Sequence, residues 1–517
     1  MSIDKETRRL IALIGVFVVF ATGIKLVCTL GVTWDEAAYF SGGYRHVQWF
    51  AQLSPEAFSK ASIDYHWGPN HEHPPAAKIV YGIAAFVTDK EDNPRLSLLY
   101  ARVLAVAMFT ALVGLVYLFT ARAFGRIAGV SAAAVLPLMP RVLGHGSIAA
   151  LDVPVAGACF ASAILFLYSK DHKGRSVGAG AAWGVALLTK LNAVFVPLAV
   201  VPWAIVYWRK KAVRPVAIFL CVGGIMFFAG WPWLWPQPVQ RTADYVLRRT
   251  EQVAEKSSDT GLSLVPVHYM GKTYKDRTAP WHYPVVMILV TLPAGFVVFT
   301  GAGLKRIRDE VESRPVIIFL AANAAVHVAV FCLPVVPKYD GIRLFMPAFP
   351  FIACLAGLGG GRVWTCWRRH AGAWAVCAVY VLTAGFCIWT FPYQLSFYNT
   401  LIGTARGAHE LGFSTTYWGD AVHAGVQSRV NEVCRGSSLA VWPPAYNFWD
   451  RPPWISKHIS YRAGWSPGDP LPDYLLLFRR QSYIDKDLRD IMREYSPIEE
   501  WCYMGVPQTE LYAFPAR

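Results

Sequence analysis

The chain of 517 residues is 55% hydrophobic, and only 16% of its residues are charged. Soluble globular proteins carry roughly a quarter charged residues, so this composition excludes an ordinary soluble protein. The formal net charge of +15 does not require a nucleic-acid partner, because Lys and Arg concentrate in short segments beside apolar stretches.

Long apolar blocks follow one another along the chain without the 3.6-residue stripes of soluble helices. Most of them approach the roughly 20 residues that cross the hydrocarbon core of a bilayer. They predict a polytopic α-helical membrane protein with about eleven spans, at residues 10–30, 98–119, 127–140, 153–168, 177–188, 193–208, 215–235, 285–300, 315–334, 344–359 and 373–391.

The distribution of Lys and Arg predicts the orientation of these spans. When the spans alternate, the loops on one side are short and basic, for example residues 5–9 and 209–214, and such loops face the cytoplasm. This orientation predicts a multi-pass protein of the inner (plasma) membrane with a cytoplasmic N-terminus. The outer side then holds three sizeable segments, residues 31–94, 236–283 and 392–517. No cleavable signal peptide is evident, so the first apolar run is interpreted as a signal anchor.

The composition changes near residue 399, where Asp, Glu, Pro and other polar residues become frequent. Short β-like runs then occur among helical patterns, which predicts a small extracytoplasmic α/β domain over residues 399–517. Residues 1–398 would form the transmembrane catalytic domain, with active-site motifs in its first external loop (31–94) and a second large external loop at 236–283. Cys434 and Cys502 are the only cysteines of the external domain, and we expect them to lie close enough to pair.

Acidic residues stand at the predicted outer ends of different spans. Asp35 and Glu36 follow the first apolar run in VTWDEAAYF, and Asp152 precedes Pro154 at the next outer turn. Each of them could simply cap the N-terminus of a helix. Several such groups on one side of the membrane favour a functional site, because a carboxylate at membrane depth is costly.

Basic residues occur at a matching depth. For Lys190 and Arg102, snorkelling towards the lipid headgroups is an equal alternative to a functional role. Lys338 and Arg343 lie five residues apart in the short outer loop VPKYDGIRLFMP, against the positive-inside rule. This spacing predicts an anionic ligand such as a phosphate, although Asp340 could pair locally with either cation.

Carboxylates and cations at the outer interface suit sugar transfer from a lipid-linked phosphosugar. A carboxylate would deprotonate an acceptor hydroxyl that attacks the anomeric carbon, while cations neutralise the leaving phosphate. One base suffices for a single displacement with inversion, so we predict a glycosyltransferase that requires no cofactor. A lipid-linked sugar flippase or transporter is the alternative, but the chain lacks the repeated halves that transporters commonly show. The acceptor could be a protein, a lipid or an envelope glycan.

The order of several motifs resembles the GT-C membrane glycosyltransferases, particularly the branch with the protein O-mannosyltransferases and the bacterial aminoarabinose transferase of lipid A. The resemblance runs from about Thr33 to Pro350 and rests on DE, HPP with the following Lys78, LDVP, LTK, HYMGKTYKDRTAPWHYP and KYDGIRLFMP. It implies a polyprenyl-phosphate-linked sugar as donor. It also implies that Asp35 is the catalytic base and Asp152 a second acidic site residue. Glu36 is a third candidate for a catalytic residue.

The remaining site predictions complete this interpretation. The cations expected to bind the donor phosphate are Lys338, Arg343, Lys190, His73 of HPP, and Arg102. Sugar or acceptor contacts are predicted for Glu72, Tyr339 and Trp281, of which Trp281 could equally belong to an interfacial aromatic belt. In the aminoarabinose transferase a Glu and a His hold a metal, so the resemblance implies Glu72 and His268 as candidate ligands of a divalent metal.

Overall fold

The computed structural model describes residues 5–254, 265–274, 279–334, 336–366, 371–443 and 451–515. α-Helices account for most of the chain before residue 390. They are α1 (Lys5–Val27), α2 (Trp34–Ala51), α3 (Lys60–Trp67), α4 (Ala76–Val87), α5 (Pro94–Phe124), α6 (Arg126–Val135), α7 (Pro140–Gly146), α8 (Asp152–Leu167), α9 (Lys173–Leu187), α10 (Val196–Trp208), α11 (Val213–Ala229), α12 (Pro238–Ala254), α13 (Tyr283–Thr291), α14 (Ala294–Asp309), α15 (Arg314–Ala329), α16 (Phe349–Cys366) and α17 (Ala371–Trp389).

The C-terminal segment, residues 399–515, contains three further helices and most of the strands. The helices are α18 (Thr404–Glu410), α19 (Ala424–Val433) and α20 (Lys486–Glu494). A hairpin of β1 (Val267–Tyr269) and β2 (Lys272–Tyr274) precedes α13. The other strands are β3 (Ser438–Trp442), β4 (Ser460–Tyr461), β5 (Tyr474–Phe478), β6 (Glu499–Tyr503) and β7 (Val506–Ala513).

Each of the eleven apolar blocks coincides with at least one helix, so the predicted polytopic helical class is confirmed. Within the described ranges, five helical stretches are long and apolar enough to cross a membrane, and up to seven if each of two bent pairs is one span. The bends are 73° between α6 and α7 and 114° between α13 and α14. α4, α8 and residues Gly15–Val27 of α1 are shorter apolar helices. The count of eleven spans therefore stays a prediction.

Glycines allow α2, which carries Asp35 in its first turn, to pack directly against α4. A Cβ added to Gly43 would lie 1.9 Å from the carbonyl oxygen of Lys78, and one added to Gly82 would lie 2.1 Å from that of Gly43. No larger residue fits at such a backbone approach. The contact therefore sets the position of Asp35 relative to the HPP segment, which leads into α4.

The C-terminal segment packs on the helical core through a five-stranded sheet in the order β4-β3-β5-β7-β6. β3 pairs in parallel with β4 and β5, whereas β7 is antiparallel to β5 and β6. Alternate side chains of a strand face opposite sides. Leu439 and Val441 accordingly join the main hydrophobic core, while Ala440 packs with Leu488 of α20. The sheet thus lies between the helical core and α20.

The two cysteines that we expected to pair are both free in the structure. Cys434 is buried at the C-terminal end of α19, whereas Cys502 is exposed on β6. The thiol of Cys502 instead donates a hydrogen bond to Glu500 Oε1 at 2.8 Å. The expected pairing of Cys434 with Cys502 is therefore not formed.

Candidate active site

Helix α2 begins with two adjacent carboxylates that have different surroundings. Glu36 is fully buried and accepts hydrogen bonds from the backbone N–H groups of Thr33 at 2.9 Å and Ala149 at 3.0 Å. Arg102 of α5 binds both of its oxygens, through Nε at 2.7 Å and Nη2 at 2.6 Å. The side chain of Asp35, by contrast, remains 23% exposed. Asp35 is therefore the carboxylate of the pair that a substrate can reach.

Arg343 joins three carboxylates from distant parts of the chain. Its Nε lies 3.0 Å from Asp152 Oδ2, its Nη1 lies 3.0 Å from Asp340 Oδ2, and its Nη2 contacts Asp35 Oδ2. The guanidinium also lies over the ring of Trp418, 4.1 Å from the ring centroid, which fixes its plane. The structure thus brings Asp35 and Asp152 to one cation at the N-terminal ends of α2 and α8.

Two further cations bind the same carboxylates. Lys190 Nζ lies 2.5 Å from Asp152 Oδ1, and Arg480 Nη2 lies 2.8 Å from Asp340 Oδ1. We call the six residues the ion-pair cluster: Asp35, Asp152, Asp340, Lys190, Arg343 and Arg480. Three positive and three negative charges balance, which compensates for the desolvation of a largely buried group. Burial still raises the pKa of Asp340, although both arginines oppose this effect.

Asp35 keeps one carboxylate oxygen available for chemistry. Its Oδ2 accepts from Arg343 and, at 3.4 Å, from the hydroxyl of Tyr39. Its Oδ1 forms no hydrogen bond with any residue that the structure describes. A partly exposed carboxylate oxygen without a protein donor can accept a proton from a substrate hydroxyl at hydrogen-bond distance.

The other residues that we expected to bind the donor phosphate lie outside the cluster. Arg102 is fully engaged with Glu36 and with backbone carbonyls of the loop that follows α1. Lys338 Nζ donates to two backbone carbonyl oxygens of the preceding turn, at 2.8 and 3.0 Å. The ring of His73 packs edge-on against Tyr39, with 5.3 Å between centroids. Lys338 and Arg343 therefore do not act on one common group in this structure.

The residues expected to contact the sugar or the acceptor are spread over the surface beside α2 and α13. Glu72 lines an open cavity of about 270 Å³ together with Arg45 and residues one turn after Asp35 on α2. Trp281 is 65% exposed, and Tyr339 is half-buried against the core. Of the three, Glu72 lies at a cavity that residues of α2, the helix with Asp35, also line.

The two candidate metal ligands, Glu72 and His268, each have a hydrogen-bond partner in the structure. Glu72 accepts a hydrogen bond from Asn70 Nδ2 at 3.1 Å, and His268 Nδ1 lies 3.0 Å from Thr273 Oγ1 across the β1–β2 hairpin. Among the residues that the structure describes, no group of three or more His, Cys, Asp or Glu side chains could hold a metal ion. A divalent metal at Glu72 and His268 therefore stays a prediction.

Sequence reasoning did not include Arg480, Tyr39 or Arg141 among the site residues. Arg480 follows β5 and reaches the cluster only through long-range packing, so no local signal could have identified it. Tyr39 lies one turn after Asp35 in α2, which is a weak signal by itself. Arg141 did carry a signal, since it is a lone arginine in MPRVLGHG, a turn predicted to lie on the outer side, at the depth where cations suggest function.

Comparisons with known proteins agree with this architecture. Residues 72–235 match the family model described as dolichyl-phosphate-mannose-protein mannosyltransferase. No curated protein sequence matches the chain. The fold is similar to that of ArnT from Cupriavidus metallidurans bound to undecaprenyl phosphate, with a TM-score of 0.55 and 14% identity over 99% of this chain and 98% of that one.

The apo state of the same ArnT gives a TM-score of 0.55 at 13% identity, over 98% of both chains. The archaeal oligosaccharyltransferase AglB from Archaeoglobus fulgidus, in complex with an inhibitory peptide and a dolichol-phosphate, gives 0.51 at 11% identity, over 98% of this chain and 74% of AglB. These likenesses establish the GT-C fold. The family match over residues 72–235, on a chain with this fold, agrees with the predicted class, a membrane glycosyltransferase.

Arg480 allows a test of how the C-terminal segment contributes to the site. Its guanidinium also donates to the carbonyl oxygen of Tyr417 at 2.6 Å and lies 4.6 Å from the ring centroid of Trp34, the neighbour of Asp35. Arg480→Gln should lower kcat roughly tenfold or more, because a small displacement of the charged groups is costly for transfer. The donor KM should change little.

The matched control for this substitution is the neighbouring Arg479→Gln. The side chain of Arg479 pairs with Glu510 at 3.4 Å on the sheet, and among the described residues it forms no hydrogen bond or ion pair with the ion-pair cluster. Steady-state kinetics of the two purified variants should therefore differ, with Arg479→Gln close to wild type. Equal kcat values for the two variants would show that Arg480 has no positioning role.

Proposed function

We propose that the protein transfers a sugar from a polyprenyl-phosphate donor to an acceptor hydroxyl by a single inverting displacement, with Asp35 as the general base. The observation that carries this proposal is that Oδ1 of Asp35 has no hydrogen-bond partner in the described ranges, while its Oδ2 contacts Arg343, which also binds Asp152 together with Lys190. A base and neutralising cations are the two requirements for expelling a lipid phosphate from an anomeric carbon. The mannosyltransferase family match supports the donor class.

Arg343 and Lys190 have the properties that a phosphate-binding pair needs. Both are held by carboxylates within the cluster, so a phosphate that enters must exchange with Asp152 or Asp35. Such an exchange would free Asp35 from Arg343 and leave its carboxylate available to the acceptor hydroxyl. Arg343 offers a planar fork for two phosphate oxygens, whereas Lys190 offers a single point of charge.

The place of the reaction is also a proposal. The positive-inside rule supports an orientation in which the C-terminal end of α1, the N-termini of α2 and α8, and the C-terminal segment lie on the outer face of the inner membrane. The donor phosphate would then lie at headgroup depth, and the acceptor would be a protein, lipid or glycan of the cell envelope. A reporter fused to the C-terminus should be active outside the cytoplasm; activity inside the cytoplasm would contradict this orientation.

The decisive experiment is a transfer reaction with the purified full-length protein in nanodiscs. The protein receives a set of polyprenyl-phosphate sugars, and the release of polyprenyl phosphate is followed together with the anomeric configuration of the product. Release with inversion supports the proposal, whereas retention would require a covalent intermediate and contradict single displacement. Movement of the intact lipid-linked sugar between leaflets without its cleavage would favour a flippase.

A further inference from the structure

Arg141 of α7 is a buried cation whose terminal nitrogens have no well-formed hydrogen bond among the residues that the structure describes. Only 1% of the residue is exposed, and its Nε donates to the carbonyl oxygen of Phe397 at 2.9 Å. Neither Nη1 nor Nη2 forms a hydrogen bond of ordinary geometry in the described ranges, although the hydroxyl oxygen of Tyr398 lies close enough to interact with the guanidinium. Leaving such donors unsatisfied in a protein interior is costly, so the guanidinium is suited to an acceptor that comes from outside the chain.

Arg141 lines a small cavity between the helical core and the C-terminal segment. The cavity measures about 20 Å³, and its lining includes Arg141, His268, Asp340, Tyr417 and Arg480. A space of this size accommodates about one water-sized group. The head of a carboxylate or phosphate could insert there only if the remainder of its molecule lies outside the cavity.

The guanidinium of Arg141 is held in one orientation. It lies 4.5 Å from the ring centroid of Tyr398 and 5.5 Å from that of Tyr417. A Cβ on Gly341 would lie 2.6 Å from Nη1, and the φ of +66° at Gly341 favours glycine at this turn. The backbone therefore approaches Arg141 closely without offering it a hydrogen-bond acceptor. This arrangement keeps the N–H groups preorganised for a ligand.

The charges around the cavity favour an anion. Asp340 is the acidic residue in its lining, and it is already neutralised by Arg343 and Arg480. The carboxyl of Asp420 acts electrostatically on Arg141 but forms no hydrogen bond with it. Burial raises the pKa of Asp420 to about 7, so its negative charge is weakened near neutral pH. Arg141 thus has no full internal counter-charge among the residues described.

We propose that this cavity is an oxyanion subsite that receives an acidic group, a carboxylate or a phosphate, carried by the acceptor. The inference rests on the proposed sugar transfer. The cavity includes Asp340 but neither Asp35 nor Asp152, so the group bound there lies beside the reacting bond and not at it. Residues of the C-terminal segment and of the β1–β2 hairpin line it, and these are the elements expected on the outer side, where an acceptor arrives.

The test measures anion binding by the purified full-length protein, independently of sugar transfer. The probes are inorganic phosphate and acetate, titrated at constant ionic strength against thermal unfolding, with sodium chloride as the blank. We expect Arg141→Gln to weaken the binding of both anions about tenfold or more, as the loss of charge-assisted hydrogen bonds predicts. Arg479→Gln, which removes an equal charge outside the cavity, should bind them like wild type.

Two further variants keep the test informative if Arg141→Gln does not fold. Arg141→Lys keeps the charge but loses the planar fork, so it should also bind phosphate more weakly. Asp420→Asn removes a competing carboxylate and should tighten the binding of phosphate. Wild-type binding of both anions by Arg141→Gln or Arg141→Lys would overturn the subsite.

Binding of undecaprenyl phosphate distinguishes the acceptor from the donor as the source of the anion. We expect Arg141→Gln to bind this lipid with wild-type affinity, because the donor phosphate lies at Lys190 and Arg343. Equal losses of inorganic phosphate and undecaprenyl phosphate would place the donor at Arg141 and overturn the assignment to the acceptor. If the protein binds anions through Arg141 but transfers no sugar, the result contradicts the proposed function and leaves the anion site standing.

Discussion

Asp35→Asn should lower the turnover of sugar transfer by about 10²–10⁴-fold, the usual contribution of a general base. Asparagine keeps the shape of the side chain but cannot accept the proton of the acceptor hydroxyl. Arg343 retains Asp152 and Asp340 as partners, so the cluster should persist. Donor binding should therefore stay near the wild-type value while kcat falls.

The measurement combines turnover of the folded fraction with equilibrium binding of the lipid donor. Asp64→Asn is the matched control, because Asp64 lies in the same predicted outer segment as Asp35 (31–94) and pairs with Lys60 and Arg241, which are outside the cluster. Its activity should equal that of wild type. Wild-type turnover by Asp35→Asn would remove Asp35 from the mechanism, and a loss of donor binding would indicate a role in the ground state.

The helical part of the fold could be predicted because apolar blocks are a strong and local signal. The β-like runs at 438–441, 474–478 and 511–514 likewise coincide with β3, β5 and β7. The number of spans could not be derived in the same way. Bends such as the 114° angle between α13 and α14 depend on tertiary packing, and an apolar block does not reveal whether its helix crosses the bilayer.

The prediction of the site from sequence was limited by long-range pairing. Asp35 and Asp152 could be assigned to one site because a carboxylate at membrane depth is energetically costly, and each of them is predicted at such a depth. The partner of each charge could not be derived, because partners such as Arg343 and Arg480 arrive from far along the chain. Lys338 illustrates the limit, since a single turn of backbone satisfies its ammonium group, which no spacing in the sequence indicates.

The structure also distinguishes two adjacent carboxylates, Asp35 and Glu36, which are both candidates for a catalytic role from the sequence alone. Asp35 and Glu36 follow one another in α2, and successive helical residues point about 100° apart. One side chain therefore faces the ion-pair cluster, while the other reaches α5 and the loop before α8. We infer that Glu36 acts in the folding of the site and not as a catalytic group.

Glu36→Gln should lower the free energy of unfolding by about 3–5 kcal/mol, the usual cost of breaking a buried ion pair by changing one partner. The amide would leave Arg102 without its counter-charge, at a position where Arg102 is only 3% exposed. The folded fraction should keep its donor affinity and most of its turnover, because the side-chain partners that the structure describes for Glu36 are Thr33, Arg102 and Ala149, none of which belongs to the cluster. Thermal unfolding in detergent and turnover per folded molecule measure the two effects separately.

The double variant Glu36→Met/Arg102→Met sharpens this prediction. Replacing both partners of a buried pair with apolar side chains is often nearly neutral, so the double variant should recover much of the stability that Glu36→Gln loses. Recovery is expected to be incomplete, because Arg102 also donates to three backbone carbonyl oxygens at 3.3, 3.0 and 2.6 Å, which would lose this donor. A stable Glu36→Gln variant with no turnover would instead show that Glu36 has a catalytic role.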